Sequence, residues 1–301
     1  MAADGGSLGG KVCLVSGGSA GIGRVTARAL AERGACVTIV GRDAVRGQSA
    51  LAAIRAESGN DNVHFLQADL SDHTAIHSLA AAFADRHGRL DVLVNNAGAM
   101  FGKRQESAQG CEMTFALNHL GYFLLTLLLL PVLQAAAPAR VVVVASEAHR
   151  GVTLDFDDLH AKHGYHGWKA YKRSKLANIL FTHELARRLD WQQVTVNALH
   201  PGFVATDIGV RHGFLPGFLW WLAKCGATDV ETGALTSIHL AASSEVEGMH
   251  GRYFIKCRPA NASPAAHDRA ASLRLWEESA RMTEIAAELV PQPLPHSNAA
   301  S

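Results

Sequence analysis

Cysteine is scarce in this chain, five among 301 residues. Cys13, Cys36, Cys111, Cys225 and Cys257 are scattered, odd in number and without a Cys-x-x-Cys spacing. This excludes a fully paired disulfide framework and a thiolate zinc cluster, and reduced thiols point to a cytoplasmic location. Net charge is nearly absent, +1 at neutral pH, so no nucleic-acid partner is expected. Long hydrophobic runs are lacking as well. Nothing before Lys11 reads as a signal peptide or a transmembrane anchor. The run Leu124–Leu133 is too short to cross a bilayer and reads as a buried or subunit-interface helix, with a homodimer or homotetramer as the expected assembly. His160, His163 and His166 lie in a loop with Gly164 and Gly167 and no acidic partners at metal spacing, so no metal is expected.

What is present is an unbroken alternation of strand and helix signals from Lys11 to about Ile255, without linker or solenoid repeat. Candidate strands are Val12–Ser16, Cys36–Gly41, Val63–Ala68, Val92–Asn95, Val141–Ala145, Thr195–Leu199 and Arg252–Ile255. Their near-continuous apolar character implies a mostly parallel sheet covered on both faces. The expected fold is one α/β, doubly wound domain over residues 10–282 with a seven-stranded sheet. Residues 1–9 are expected to be a flexible N-terminus. Residues 283–301, with Pro291, Pro293 and Pro295, read as a flexible tail.

Three segments bring chemistry to one edge of such a sheet. Ser16-Gly17-Gly18-Ser19-Ala20-Gly21-Ile22-Gly23 follows an apolar strand and opens a helix. Glycines there let backbone approach a pyrophosphate, and the helix start offers N–H groups and positive dipole. Val92-Leu93-Val94-Asn95-Asn96 and Val141-Val142-Val143-Val144-Ala145-Ser146 are strands ending in polar groups. Ligands bind at the carboxyl ends of strands in open parallel sheets, which places Gly17, Asn95 and Ser146 along one rim. Arg42 directly follows the second strand, and its neighbour Gly41 offers no acid to a ribose, a pattern that accommodates a 2′-phosphate. Asp43 reads as the cap of the next helix. Arg24 is a candidate for added charge near the phosphates.

Tyr171-Lys172-Arg173-Ser174-Lys175 then sets a phenol and an ammonium one turn apart on a helix. A nearby ammonium favours the phenolate and lowers its pKa, which suits proton exchange with a carbonyl or alcohol oxygen. Tyr165-His166-Gly167-Trp168-Lys169 has the same spacing but sits between glycines, so no helix should align its two side chains.

Together these motifs resemble the short-chain dehydrogenase/reductase family, from about Gly10 to about Met282. Ser-Gly-x-x-x-Gly-Ile-Gly matches the family's cofactor motif, with Ser16 where Thr is usual. Asn95-Asn96-Ala97-Gly98 matches its structural motif, and Pro201-Gly202-Phe203-Val204-Ala205-Thr206 its nicotinamide-end motif. Asn118-His119-Leu120-Gly121-Tyr122-Phe123 and Ser174-Lys175-Leu176-Ala177-Asn178 look like the retinol-dehydrogenase-like branch. The resemblance implies a Rossmann-type fold and the catalytic set Asn118, Ser146, Tyr171 and Lys175. It implies cofactor contacts at Gly17, Ser19, Gly21, Ile22, Gly23, Arg42, Asp69, Leu70, Asn95, Ala97, Gly98, Tyr171, Lys175, Pro201, Gly202, Val204 and Thr206. It implies a substrate lid around 207–228, where Phe214–Leu222 is strongly apolar. Glu147, His149 and Trp168 are further candidates to face substrate.

The expected function is an NADP(H)-dependent oxidoreductase moving hydride between nicotinamide and a carbonyl/alcohol pair, with a small hydrophobic substrate. Two alternatives stand beside it: reduction of a carbon–carbon double bond on the same fold, as in protochlorophyllide reductase, or a non-catalytic NADP-binding sensor or scaffold. The intact set Asn118, Ser146, Tyr171 and Lys175 favours carbonyl chemistry.

Overall fold

The computed structural model describes residues 7–202 and 229–294. The expected lid around 207–228, and Val204 and Thr206, lie outside the described residues.

The strands are β1 (Val12–Ser16), β2 (Cys36–Gly41), β3 (Val63–Gln67), β4 (Val92–Asn95), β5 (Ala139–Val144), β6 (Val194–His200), β7 (Tyr253–Ile255) and β8 (Arg258–Ala260). They form one sheet in the order β3-β2-β1-β4-β5-β6-β7-β8. All pairings through β7 are parallel, and β8 returns antiparallel to β7. The sheet among the described residues thus has eight strands rather than the expected seven. Lys256 and Cys257 both adopt positive φ, at 50° and 62°, and make the tight turn into β8. A Lys-Cys turn lacks the usual Asn-Gly signal. Pro259 fits β8 only because that strand is the sheet edge.

Alternate strand residues feed two cores. Cys13, Val15, Val37, Ile39, Val94 and Val142 pack under α1 (Gly21–Glu32), α2 (Ala44–Ser58) and, after residue 228, α8 (Val230–Ala242). Leu14, Val40, Leu93, Val141, Val143 and Val196 pack on the opposite face. That face is covered by α3 (His73–His87), by α4 (Met113–Phe115) and α5 (Gly121–Leu128), and by α7 (Gly167–Ala186) and α9 (Arg269–Thr283). The short α6 (Leu130–Ala135) follows α5.

Capping fixes most helix starts. Asp43, Asp72 and Asp268 each accept a backbone N–H in the first turn of α2, α3 and α9. The Leu124–Leu133 run is split between α5 and α6. Its α5 part is buried within the chain: Phe123 meets Trp276 of α9 edge-on at 5.0 Å.

The described part of the segment after α9, up to Leu294, packs on the domain. Ile285 is buried, the Arg188 guanidinium donates to the Pro291 carbonyl at 2.9 Å, and the Leu294 N–H reaches the Arg187 carbonyl at 3.1 Å. At the other end Leu8 is buried and its N–H donates to the Arg33 carbonyl at 2.8 Å, so order begins before Gly10.

Candidate active site

The chain order reverses between β1 and β4, so a crevice opens at their carboxyl ends. Ser16 ends β1 with its hydroxyl fully buried. That oxygen accepts the N–H of Asn96 at 2.8 Å and of Ala97 at 3.1 Å, and donates to the Val94 carbonyl at 3.3 Å. Asn96 answers by donating its side-chain amide to the Ser16 carbonyl at 2.9 Å. Gly17 has φ +67°, and a Cβ there would come within 2.8 Å of the Ala97 backbone. The two strand ends are therefore stitched together by Ser16 and Asn96, and glycine is the residue that fits between them.

Helix α1 starts differently from its neighbours. Its N-cap is Ala20, which offers no side-chain acceptor to the first-turn N–H groups. Uncapped N–H groups at a Gly-rich turn fit a bound phosphate. Ser19 sits at the same end, its hydroxyl 3.0 Å from where a Gly41 Cβ would stand. Arg42 is exposed beside it, and its guanidinium meets no partner among the described residues. Asp43 accepts the Arg46 N–H and pairs with the Arg46 guanidinium at 3.0 Å, as befits a cap. Arg24 is turned away from the phosphate position into an ion pair with Glu57 at 2.8 Å.

Not every expected contact faces the crevice. The Asn95 side chain is fully buried and donates to the Thr126 hydroxyl at 2.8 Å, so it braces α5. Its partner Asn96 is the residue that shapes the turn. Asp69 is occupied by the Ser71 N–H and hydroxyl, at 2.9 and 2.7 Å, and Leu70 is buried. Gly98 does lie beside the chemistry: a Cβ there would stand 3.2 Å from Asn118 Oδ1 and 3.6 Å from Lys175 Nζ. Gly202 holds φ +94° at the end of the described segment.

The expected catalytic residues converge. Asn118 lies in a π-helical turn, Ala116–Leu120, between α4 and α5. Such turns widen a helix and re-aim side chains, often at functional sites. Its oxygen accepts the Ala99 N–H at 2.8 Å, and its amide donates to the Ala99 carbonyl and to Ser174 Oγ, both at 2.9 Å. Lys175 is 4 % exposed and donates from Nζ to the Val144 carbonyl at 2.9 Å, tying α7 to the end of β5. The Tyr171 ring centre lies 5.7 Å from that ammonium, and the Ser146 hydroxyl accepts the Ala148 N–H at 3.1 Å.

Burial dominates the electrostatics. It pushes the Tyr171 phenol up to about 12, against the opposing influence of Ser146, and pulls the Lys175 ammonium down to about 7. The Tyr171 phenol is thus raised rather than lowered, with burial as the largest cause. Desolvation penalises both charged forms at once.

The second tyrosine–lysine pair behaves as its glycines suggest. Tyr165 precedes α7 and donates its hydroxyl to the Phe101 carbonyl at 2.7 Å and to Glu112 at 3.2 Å. Lys169, inside α7, is not its partner. Of the other candidates, His149 is fully buried, with Nδ1 against the Ser146 carbonyl at 2.6 Å and Nε2 accepting the Ser263 N–H at 2.9 Å. Glu147 pairs with Arg150 at 2.8 Å and accepts the Tyr253 hydroxyl at 2.9 Å. Trp168 alone stays open: it stacks on Tyr171 at 5.7 Å and is 41 % exposed. His160 Nδ1 accepts the Glu112 N–H at 3.2 Å, a structural bond that ties its loop to the start of α4.

Three comparisons agree with this arrangement. Residues 11–212 match the family model described as short chain dehydrogenase. Retinol dehydrogenase 12 of Homo sapiens is 42 % identical over 278 residues, spanning 92 % of this chain and 88 % of that protein. Polyprenol dehydrogenase of Mus musculus is 42 % identical over 284 residues, spanning 91 % and 84 %. A crystal structure of an uncharacterised protein from Mycobacterium Paratuberculosis superposes with a TM-score of 0.75 at 30 % identity, covering 93 % of this chain and 96 % of that one. The Pseudomonas aeruginosa RhlG/NADP active-site complex superposes with a TM-score of 0.66 at 31 % identity, covering 82 % and 95 %.

Proposed function

From the premise that this chain belongs to the short-chain dehydrogenase/reductase family, in its retinol-dehydrogenase-like branch, we propose that it is an NADP(H)-dependent enzyme acting on hydrophobic aldehydes, ketones or alcohols. That it is an alcohol/carbonyl oxidoreductase using a nicotinamide cofactor follows from the family. The preference for NADP and the substrate class are our reading.

A nicotinamide dinucleotide, when bound, supplies or accepts the hydride. The protein's own groups do the rest. Backbone N–H groups at the α1 N-terminus would hold the pyrophosphate, and Arg42 would pair with a 2′-phosphate. Ser146 holds the substrate oxygen, and Tyr171 exchanges a proton with it. Lys175 stabilises the phenolate, and Asn118 fixes the Ala99 backbone beside the site. Trp168 gives the substrate an apolar face beside the phenol.

The observation that carries this reading is the convergence of Ser146, Tyr171, Lys175 and Asn118 behind an uncapped helix N-terminus. The Arg42 guanidinium, without a partner among the described residues beside Gly41, supports NADP over NAD. The cytoplasmic reading rests on cysteine usage: the four described cysteines are free. No helix among the described residues is long and apolar enough to cross a membrane. A homodimer or homotetramer is the assembly we expect.

The test is an NADPH-oxidation screen with aldehydes, ketones and quinones of graded size. Turnover that rises with apolar size supports the reading. Tight NADPH binding without turnover of any carbonyl supports the sensor reading instead.

A further inference from the structure

Tyr122 is the residue at this site that the family reaction leaves unused. It follows the π turn on the first turn of α5 and is fully buried. Its ring centre lies 5.9 Å from Lys175 Nζ, nearly the same distance as the Tyr171 ring at 5.7 Å. Its hydroxyl is buried and has no hydrogen-bond partner. A buried phenol with an orphan hydroxyl is costly, so the ring itself must contribute something.

Lys175 explains what that is. The ammonium is buried, and among the described residues no carboxylate pairs with it; it donates to the Val144 carbonyl. The titratable groups on elements packed around α7 are engaged elsewhere. Glu112 accepts the Thr114 and Phe115 N–H groups, and His119 bonds Ser279 Oγ at 2.8 Å. Glu147 pairs with Arg150, and His149 is held by Ser146 and Ser263. His200 accepts the Glu147 N–H, and His267 stacks on His183. Tyr122 and Tyr171 are left as the two groups whose π faces flank the cation.

We infer that Tyr122 is a positioning residue, whose ring holds the Lys175 ammonium beside Tyr171 in place of the missing carboxylate. The negative ring face attracts a desolvated cation and favours its charged form. The ring does this without the cost of burying a second full charge. The hydroxyl plays no part in it. The consequence for turnover rests on the proposed roles of Tyr171 and Lys175, but the contact itself can be tested without substrate.

The experiment titrates Lys175 by NMR in the full-length, cofactor-free protein with isotope-labelled lysine. The resonance is assigned by its loss in Lys175→Met. Tyr122→Phe keeps the ring and should titrate as wild type. Tyr122→Leu removes the ring face and should lower the Lys175 midpoint by about half a unit to one and a half units. Should the leucine variant fail to fold, a ring-fluorinated phenylalanine at position 122 keeps the shape while weakening the negative face, and should lower the midpoint in the same direction. Where wild type turns over a carbonyl, the high-pH limb of the pH–rate profile should move with the midpoint, whereas a mere packing defect would lower rates in parallel at all pH. An unchanged Lys175 midpoint in the fluorinated variant, or a midpoint lowered by Tyr122→Phe, overturns the inference. Absence of carbonyl turnover in wild type would overturn the functional reading and leave the titration result standing.

Discussion

The Lys175 ammonium lies 5.7 Å from the centre of the Tyr171 ring, and the two groups are shifted in opposite directions by the same burial. Burial works against the charged form of both groups, raising the phenol and lowering the ammonium. Electrostatic help for Tyr171 then depends on Lys175 holding its charge.

That relationship has a stability consequence. Lys175 titrates at about 7 folded, against an ordinary value of 10.5. Between those two values the unfolded chain binds the extra proton, so stability rises with pH through that window. The cost is complete below the folded value and gone above the unfolded one. Replacing Lys175 with Met removes it, a gain on the order of a few kcal/mol at low pH. Lys175→Met should therefore raise Tm clearly near pH 6, and the gain should shrink toward pH 10, while turnover is lost. Thermal melts across that range check it; an equal gain at both ends contradicts the burial argument.

Arg42 should decide between the two nicotinamide dinucleotides. Arg42→Asp removes the phosphate partner and adds repulsion. A charge-assisted contact of about 1.5–3 kcal/mol corresponds to a loss of roughly ten- to a hundredfold in NADPH affinity. NADH affinity should hold or improve. Fluorescence titration with both cofactors measures this, and equal wild-type affinity for NADH and NADPH would refute the assignment.

Ser16 should behave as a structural pin of the cofactor turn. Ser16→Ala strips one acceptor from two N–H groups, those of Asn96 and Ala97. Each buried donor left unmade costs about 1–3 kcal/mol. The variant should melt several degrees lower and bind NADPH more weakly. Unchanged Tm would mean that the turn is held by Asn96 alone.

Much of this was legible in the sequence, for identifiable reasons. Apolar runs ending in Ser16, Asn95 and Ser146 announced parallel strands and their functional rim, because buried strands carry a strong local signal. The Tyr171–Lys175 spacing announced one helix face. Other features were not local. The edge strand β8 depends on a Lys-Cys turn and a proline that only an edge tolerates. Asn95 and Asn96 are neighbours with opposite orientations, and only the strand pleat decides which one faces the crevice. The docking of Ile285 to Leu294 needs partners about a hundred positions away, as in the Arg188–Pro291 bond. The sign of the Tyr171 shift needed burial, which spacing does not report.

The central claim is that Tyr171, and not Tyr165, handles the proton. Tyr171→Phe keeps the ring stacked on Trp168 and removes only the hydroxyl. Tyr165→Phe removes the bonds to Phe101 and Glu112, a loss of about 1 kcal/mol in stability. The most direct measurement is steady-state NADPH oxidation, with parallel NADPH binding, on the best carbonyl substrate found. The account predicts that Tyr171→Phe loses about a hundredfold or more in turnover with NADPH binding intact, while Tyr165→Phe stays within a few-fold of wild type. An active Tyr171→Phe enzyme, or a folded but inactive Tyr165→Phe enzyme, would contradict it.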